Sequence, residues 1–436
     1  MRKTTIFGAA RSGIAAANFL AARGHEVEIT DASATPALEA ELDPRVKRTF
    51  GAHPDTVLDG TSTIVLSPGV PSDLPILKRA ASLSIPVISE IELAFRHLSG
   101  RIVAITGSNG KSTTTALVGE ILRAAGSNPI VAGNIGDPLI AAVDSAPRNY
   151  VLELSSFQLE TVDTFRADVA LLLNITPDHM DRYRTLDDYA EAKYRVFRNQ
   201  SANDLAIVNG DDARTANPPT KARVWRFSST TRIEPGAFLD GAHLVMHVDR
   251  EERKIPRSIL KLEGMANVEN ALASWLAARA MGVADVDVEI AFGTFAGLPH
   301  RMVLVREVAG VRYVNDSKGT NVDATLKSLE GMGDGCVFLI LGGKDKNGEF
   351  ERLRPLVEKK ARTILTIGAA AEKIEHALDG ATEIVACKEM SGAIRWARQN
   401  AKAGDVVLLS PACASFDQYN NFEERGRHFE ELVRGL

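Results

Sequence analysis

Short apolar runs alternate with amphipathic segments at the start of the chain. In TTIFGAA, VEITDAS and TIVLSPG, the apolar run is followed by Gly, Asp or Ser-Pro. GIAAANFLAAR lies between the first two and has helical spacing. Apolar runs of this length, separated by amphipathic segments, are typical of buried parallel strands joined by helices. The pattern predicts a doubly wound α/β sheet over residues 1–94.

The order of strand and helix starts again near residue 95. RIVAITGSNGK opens a second series of apolar runs, which continues through NPIVAGN, YVLELSS, VALLLNITPDH and DLAIVNGDD. Residues 228–260 have the pattern of hairpin strands, which predicts an antiparallel extension of this sheet. We therefore expect a central α/β domain over residues 95–298.

A passage that contains Gly and Pro, AFGTFAGLPHRM, separates this region from a third series: VRYVNDS, CVFLILGG, TILTIG and DVVLLSPA. Gly and Pro at such a position interrupt regular structure. We predict a hinge near Leu298–Arg301 and a C-terminal Rossmann-like domain over residues 299–436. The predicted fold class is α/β with three domains.

The length of 436 residues allows more than one hydrophobic core. Its 51 Lys and Arg against 56 Asp and Glu leave a net charge of −5, so no chain-wide basic surface indicates binding to nucleic acid or membrane. The initial MRKTTIFGAA lacks an apolar secretory segment, and no later run is apolar for the roughly 18 residues that span a membrane. We expect a monomeric cytoplasmic protein.

The three cysteines, Cys336, Cys387 and Cys413, are far apart in the chain. They form no CxxC pair and have no His at metal-ligand spacing, so neither a disulfide framework nor a zinc site is predicted. We expect them to be small buried side chains.

A glycine-rich loop lies between the strand-like VAIT and the helix-like TTALVGEILRAAG. Glycines allow backbone N–H groups to surround phosphate oxygens, the start of the helix adds partial positive charge, a lysine neutralises β and γ oxygens, and a hydroxyl can bind magnesium. The alternative is a turn that only caps the helix. The residues predicted to bind ATP here are Gly107, Ser108, Asn109, Gly110, Lys111, Ser112 and Thr113, with Lys111 also catalytic.

The loop is shorter than a generic P-loop, because two residues instead of four separate Gly107 from Gly110. Its form, TGxNGKST, resembles the ATP loop of the Mur ligase and folylpolyglutamate synthetase superfamily. GNIG at residues 133–136, ELSSFQL at 153–159 and NITPDHMDR at 174–182 resemble the next segments of that family, and each follows an apolar run. The carboxyl ends of parallel strands meet at one edge of a sheet, where ligands bind. The resemblance implies a central P-loop-type ATPase domain.

Two magnesium sites follow from the resemblance, with Ser112, Glu153, His179 and Lys193 as ligands. A Glu that ends a buried strand beside a phosphate loop is a plausible magnesium ligand on chemical grounds, and a helix-capping carboxylate is the alternative. A lone His is usually structural and Lys193 reads as a solvated lysine, so both assignments depend on the resemblance. In the family, the lysine of an E-A-K-x-x-x-F segment is carbamylated, which predicts a carbamate on Lys193.

Other nucleotide contacts are implied farther along the chain. GMANVEN, at residues 264–270, resembles a G-x-H-N-x-x-N segment with Ala266 where His is common, and it makes Asn270 the adenine candidate. An Asn at a helix start is the alternative reading. NDSKGTN, at residues 315–321, resembles a segment that closes over the nucleotide; Arg301 is expected at phosphate or ribose and Asp316 at ribose.

The last domain is most similar to that of the D-glutamate-adding members of the family. The resemblance assigns the amino acid to Thr320, Lys346, Ser415 and Phe422, which supply the cation and hydroxyl groups that a carboxylate needs. Phe416 stands where Leu is frequent, and Lys344 where an acid can occur.

GAARSG, at residues 8–13, is similar to a dinucleotide fingerprint in which Ala10 replaces the middle glycine. Such a fingerprint alone is weak support for a dinucleotide site. By the family resemblance this domain instead binds the UDP part of a substrate. The expected contacts are Ser12, Asp31, Ser67, Asn134 and Ser155.

The resemblance implies an ATP-dependent carbon–nitrogen ligase in peptidoglycan precursor synthesis, which joins D-glutamate to UDP-N-acetylmuramoyl-L-alanine through an acyl phosphate. Three alternatives stay open at this point: a superfamily ligase with another amino acid or a folate substrate, an NAD-dependent oxidoreductase built on the first domain, and a nucleotide-binding regulator without catalysis.

Overall fold

The computed structural model describes residues 3–143, 146–262 and 264–436. Its strands form three separate sheets of five, nine and six strands in succession along the chain. The predicted α/β class with three sheet-containing domains is confirmed.

The first sheet is wholly parallel and has the strand order β3-β2-β1-β4-β5. Its central strand β1 is buried along its length, which explains why the sequence reads as a continuous apolar and threonine-rich run. The strands are β1 (Lys3–Phe7), β2 (Glu26–Asp31), β3 (Lys47–Phe50), β4 (Thr61–Leu66) and β5 (Val87–Ser89).

The second sheet has the order β14-β13-β12-β11-β10-β9-β6-β8-β7 and is parallel from β7 to β12. The last two pairings are antiparallel, so the hairpin extension predicted within residues 228–260 is confirmed. The strands are β6 (Gly100–Thr106), β7 (Ile130–Gly133), β8 (Arg148–Glu153), β9 (Val169–Leu172), β10 (Leu205–Asn209), β11 (Arg223–Ser228), β12 (Gly236–Asp240), β13 (His243–Val248) and β14 (Glu251–Pro256).

The third sheet has the order β15-β16-β20-β17-β18-β19, with only the β15–β16 pair antiparallel. Buried aliphatic side chains cover both of its faces. The strands are β15 (Val303–Val308), β16 (Val311–Asn315), β17 (Val337–Gly342), β18 (Ala361–Ile367), β19 (Glu383–Lys388) and β20 (Val406–Leu409).

Helices connect most of the parallel strands. They are α1 (Arg11–Ala22), α2 (Pro75–Ser82), α3 (Glu90–Phe95), α4 (Lys111–Ala124), α5 (Ser156–Leu159), α6 (Leu186–Tyr194), α7 (Met265–Ala280), α8 (Asp285–Thr294), α9 (Val322–Glu330), α10 (Arg354–Lys360), α11 (Ala371–Ala377), α12 (Met390–Asn400) and α13 (Phe422–Arg434). Within the described ranges, none of them is long and apolar enough to cross a membrane.

The chain divides into two compact units. Met1–Ile175, Asp187–Lys261 and Asn267–Phe295 make up the first, which contains the first two sheets. Thr176–Leu186, Leu262–Ala266 and Ala296–Leu436 make up the second, which contains the third sheet. The domain limits after residues 94 and 298 stay predictions.

The cysteines differ in exposure, and only part of the expectation for them is met. All three are free thiols, but only Cys413 is buried, whereas Cys336 and Cys387 are half-buried. Burial raises the pKa of the Cys413 thiol to about 12, so this side chain behaves as an inert apolar group.

Candidate active site

The glycine-rich loop connects the end of β6 to the start of α4, as predicted. Gly110 precedes the helix with φ of 85°, in the left-handed region that favours glycine. A Cβ atom at Gly110 would lie 2.5 Å from Oδ1 of Asn270, so close packing also requires glycine here. Asn270 is buried, and its Oδ1 accepts a hydrogen bond from Thr114 Oγ1 at 3.2 Å. The structure thus brings Asn270 to the loop, and its contact with adenine stays a prediction.

Asn174 holds the loop from the neighbouring strand. It follows β9 and accepts from Ser108 N at its backbone carbonyl, 2.9 Å, and from Asn109 N at Oδ1, 2.8 Å. Its Nδ2 donates to Asn109 O at 3.1 Å. Asn174 belongs to the segment NITPDHMDR, but the sequence alone assigns it no role. Its contacts orient the loop, and they depend on the pairing of β6 with β9.

Two lysines converge on one carbonyl of the loop. Lys111 Nζ donates to Gly107 O at 2.7 Å and to Ser108 O at 2.8 Å. Lys193 Nζ, from α6, donates to the same Gly107 O at 2.9 Å and lies 4.4 Å from the centre of the Tyr189 ring. Lys193 is only 1% exposed, so it is not the solvated lysine that its helical context suggested. Two buried or half-buried ammonium groups at one point favour an anion between them.

Glu153 ends β8, where the register pairs it with Gly133 of β7 and with Ile105 of β6. Its side chain is 1% exposed, and Oε1 accepts from Asn134 Nδ2 at 2.7 Å. Oε2 is buried and has no hydrogen-bond partner among the described residues. A buried carboxylate oxygen without a donor is unfavourable unless a cation or other ligand meets it.

The donor set at this strand end fits magnesium. Magnesium prefers oxygen ligands and is usually held by one or two carboxylates together with substrate phosphates and water. Glu153 Oε2 and the hydroxyl of Ser112, which lies in the first turn of α4, supply such oxygens. No group of three or more His, Cys, Asp or Glu within the described ranges forms a metal cage by itself.

The first sheet carries the loop predicted to hold a diphosphate, and two of the predicted contacts shape that loop. Asp31 Oδ2 accepts from Ala9 N at 2.6 Å, and Ser67 Oγ donates to Gly8 O at 3.1 Å. Ser12 is half-buried in the first turn of α1. Their contacts with UDP stay predictions, as does that of Ser155, whose hydroxyl caps α5.

In the second unit, Lys346 Nζ and Asp178 Oδ1 form an ion pair of 2.5 Å. Asn321 Nδ2 donates to the other oxygen of Asp178 at 3.0 Å. Burial by itself would raise the pKa of Asp178, but the charges of Lys346 and His179 outweigh it and hold that pKa well below its usual range. The pairing was not predicted, because 168 residues separate the two partners.

This ion pair lines a small cleft in the second unit. Thr320 and Arg352 also line it, and Arg352 donates twice to Asp323, at 2.7 and 3.2 Å. Arg352 was missed because a lone Arg in a helical stretch carries no sequence signal. The lining residues are Pro177, Asp178, Met180, Thr320, Asn321, Val322, Asp345, Lys346, Asn347, Gly348, Glu349, Arg352 and Ala412.

Two of the four predicted amino-acid contacts, Thr320 and Lys346, thus share the cleft, whereas Ser415 and Phe422 are not among its lining residues. Ser415 is buried, and Phe422 begins α13 with Lys318 Nζ 3.9 Å from its ring centre. The side chain of Arg425 connects the segments that contain Ser317 and Cys413.

The Arg425 guanidinium is buried. It donates to Ser317 O at 2.8 Å and to Cys413 O at 3.1 Å. Burial lowers its pKa to about 10.

His179 has φ of 57°, and its Nε2 lies 3.7 Å from Asp178 Oδ2. Its side chain is 33% exposed, so one face remains open to solvent. The unit to which it belongs also holds Arg301 and Asp316. Its role as a metal ligand stays a prediction.

Asp316 is buried beneath the predicted nucleotide-closing segment. Its Oδ2 accepts from Ser328 Oγ at 2.7 Å and from Ser410 Oγ at 2.8 Å. Burial raises its pKa to about 6, although both hydroxyls and the charge of Arg301 lower it. The carboxyl group therefore anchors its own loop, and the contacts of Asp316 and Arg301 with a nucleotide stay predictions.

Three family models match the chain in succession. They are described as the Mur ligase MurD-like N-terminal domain, over residues 2–89, the Mur ligase middle domain, over 105–278, and the Mur ligase glutamate ligase domain, over 300–413.

Curated relatives match from end to end. The UDP-N-acetylmuramoylalanine--D-glutamate ligase of Koribacter versatilis is 44% identical over 100% of this chain and 98% of its own length. The enzyme of the same name from Acidobacterium capsulatum is 42% identical, over 99% of this chain and 96% of its own length.

Solved structures agree in fold. A pseudomurein peptide ligase type C from Methanothermus fervidus superposes with a TM-score of 0.64 at 17% identity and covers 100% of both chains. A UDP-N-acetylmuramate-alanine ligase from Thermotoga maritima has a TM-score of 0.62 at 18% identity and covers 99% of both. Since its relatives share 42–44% of their residues along the full length and Mur ligase models match all three parts, the chain belongs to the Mur ligase family.

Proposed function

We propose that the protein joins D-glutamate to UDP-N-acetylmuramoyl-L-alanine in an ATP-dependent reaction that passes through an acyl phosphate. The curated relatives carry this activity in their names, and the family consists of ATP-dependent amide ligases. The observation that carries the proposal is the strand-end arrangement in the first unit. There, Lys111 and Lys193 both donate to Gly107 O of the glycine-rich loop. At the end of the neighbouring strand β8, Glu153 Oε2 is buried with no donor among the residues that the structure describes.

In the first step, the L-alanyl carboxylate attacks the γ-phosphorus of ATP, which forms the acyl phosphate and releases ADP. Lys111 would turn from the carbonyls of Gly107 and Ser108 to the phosphate oxygens, where its charge offsets the charge that develops on transfer. Asn174 keeps the loop amides in place during this exchange. Magnesium, when bound to Ser112 and Glu153, would supply further charge neutralisation at the same oxygens.

In the second step, the amine of D-glutamate attacks the acyl carbonyl, and the tetrahedral intermediate expels phosphate. The amine must lose a proton to do so, and we propose His179 as a candidate acceptor. Lys346 would bind the side-chain carboxylate of D-glutamate, with Thr320 as a hydroxyl donor in the same cleft. The ion pair between Lys346 and Asp178, at 2.5 Å, supports this role, because the ammonium group already has a carboxylate partner.

We further propose that Lys193 is carbamylated. The ammonium group first loses one proton. Reaction of the uncharged amine with carbon dioxide then forms the N–C bond and releases a second proton, which leaves an anionic oxygen ligand in place of a cation. Burial of Lys193 beside Lys111 supports this, since a carbamate replaces repulsion between two cations by attraction. The carbamate would supply oxygen ligands for a second magnesium ion.

An assay of ADP release with UDP-N-acetylmuramoyl-L-alanine and a panel of amino acids tests the function. The panel contains D-glutamate, L-glutamate, L-alanine, L-lysine and diaminopimelate. Stimulation by D-glutamate alone is the expected result. Stimulation by L-lysine or diaminopimelate would assign the chain to another ligase of the family, and ADP release that ignores both substrates would indicate a nucleotide-binding regulator.

A further inference from the structure

The loop of residues Gly133–Ile140, here called the bridging loop, begins against the candidate metal ligand. Asn134 N donates to Glu153 O at 2.8 Å, and Asn134 Nδ2 donates to Glu153 Oε1 at 2.7 Å. Gly133 has φ of 108°, and a Cβ atom there would lie 2.3 Å from Glu153 O. The close approach that lets Asn134 orient the carboxylate therefore requires glycine at this position.

The middle of the bridging loop is held by Arg11, which lies in the candidate diphosphate loop after the first strand, β1. Arg11 Nη2 donates to Gly136 O at 2.8 Å across 125 residues of sequence. Arg11 is the first residue of α1 and directly follows Gly8–Ala10. The loop also closes on itself, because Gly133 N donates to Asp137 O at 3.2 Å. This bond links the residue after Gly136 to the residue before Asn134.

The end of the loop is fixed by a buried carboxyl group. Glu90, the first residue of α3, is 1% exposed and accepts from Ile140 N at 2.6 Å through Oε1. It lies at the start of α3, which follows β5 directly. Glu153 and Glu90 thus hold the two ends of the loop, and Arg11 contacts its middle.

The placement of Arg11 is unfavourable for the helix that it begins. A cation in the first turn opposes the helix dipole, and α1 has no acidic residue there to compensate. Helix stability therefore does not account for this arginine. Its side chain is exposed and makes a charge-assisted bond to a carbonyl, and an anionic diphosphate at the adjacent loop would compete for the same guanidinium.

We propose that Arg11 is a positioning residue that couples binding of the diphosphate-containing substrate at the first sheet to the orientation of Glu153 at the ATP site. The inference rests on the proposed function for the identity of that substrate. When the diphosphate draws Arg11, the Gly136 carbonyl is released, and Asn134 adjusts the Glu153 carboxylate for the metal–nucleotide complex. Coupling of this kind is reciprocal, so each ligand changes the affinity of the other by one common factor.

The test is a thermodynamic cycle on the full chain by titration calorimetry. Affinity for UDP-N-acetylmuramoyl-L-alanine is measured with and without a saturating non-hydrolysable ATP analogue and magnesium, for the native protein, Arg11→Met and Arg23→Met. Arg23 is an exposed arginine at the other end of α1 and serves as the matched control. Melting temperatures confirm that the variants are folded.

We expect the nucleotide complex to change the affinity of the native protein and of Arg23→Met by about fivefold or more, which is the lower range for allosteric coupling. In Arg11→Met the factor should fall to about one. If Arg11→Met weakens substrate binding equally with and without nucleotide, Arg11 is only a direct substrate contact and the proposal is wrong. Absence of coupling in the native protein also overturns it. Failure of the native protein to bind the UDP substrate at all would instead refute the proposed function.

Discussion

Lys111 and Lys193 donate hydrogen bonds to the same carbonyl oxygen, that of Gly107, so their ammonium nitrogens lie within about 6 Å of each other. One lysine begins the helix after the phosphate loop and the other comes from α6. Two like charges at this distance in a mostly buried place repel each other, and the repulsion is relieved when phosphate arrives or when one lysine loses its charge. The pair thus prepares the loop for an anion.

Replacement of Lys193 tests its proposed carbamate. Lys193→Ala should lower the rate of ADP release at least about 100-fold, since it removes charge stabilisation at the reacting phosphate. If the missing group is a carbamate, acetate or another small carboxylate should restore part of the rate. The measurement is ADP release across a range of acetate concentrations, with Lys111→Ala as a variant that acetate should not rescue. Equal responses of both variants would contradict the carbamate.

Replacement of Glu153 should separate stability from activity. In Glu153→Gln the buried charge is lost, and Asn134 can still donate to the amide oxygen. We expect the free energy of unfolding without magnesium to stay the same or rise by about 1 kcal/mol, because a desolvated carboxylate is removed. Magnesium-dependent nucleotide binding should weaken strongly. Chemical denaturation and nucleotide titration check the two effects, and a loss of stability would show that Glu153 serves the fold.

The features that sequence alone predicted are those with local signals. The loop from Gly107 to Gly110 has a glycine where φ is positive, and it stands between a strand and a helix, so its position and geometry could be expected. The antiparallel extension could be expected because residues 228–260 have the pattern of hairpin strands. The position of Glu153 beside the loop could also be predicted, because the carboxyl ends of parallel strands lie at one edge of the sheet.

The features that were missed are made by partners distant in the chain. Neither Asp178 with Lys346 nor Arg11 with Gly136 has a spacing that announces the contact. Family resemblance pointed to Lys346 but not to the carboxylate that meets it in this structure. The burial of Lys193 was likewise hidden, because a lysine in a polar helix reads as exposed until the helix is packed against the loop.

The pairing of Asp178 with Lys346 predicts a large stability change when one partner is lost. Lys346→Met would leave the buried Asp178 without its ammonium partner, which typically costs about 3 kcal/mol. The double variant with Asp178→Asn should be less destabilised than the single one, and a double-mutant cycle in denaturant measures the difference. If the two changes are additive, the pair does not contribute as a unit.

The ion pair of Asp178 with Lys346 should also make the free energy of unfolding fall at low pH. The pKa of Asp178 is lowered in the folded state, so the stabilisation is present above its unfolded value of roughly 3.9 and is lost as pH falls further. Lys346→Met should show a weaker decline below this pH than the native protein. Unfolding free energies between pH 2 and pH 5 would reveal the change, and parallel curves would contradict it.

The titration of Glu90 should change the free energy of unfolding in the opposite direction, with a loss of stability as pH rises. Burial raises its pKa from 4.5 to about 7, against the hydrogen bond from Ile140 N, which lowers it. The folded state therefore binds a proton that the unfolded state has released, and this contribution to stability is complete below pH 4.5 and is lost as pH rises to about 7. The loss is on the order of 3 kcal/mol, since each unit of pKa corresponds to about 1.4 kcal/mol.

Glu90→Gln should remove this dependence, because the amide keeps an acceptor for Ile140 N but cannot ionise. Its unfolding free energy should fall less than that of the native protein between pH 5 and pH 7, with the two proteins closest in stability at the acid end. The measurement is denaturant unfolding at several pH values, with Glu41→Gln on the first-sheet side as an exposed control. If Glu90→Gln and the native protein keep a constant difference across this range, Glu90 does not titrate in it and must be ionised throughout.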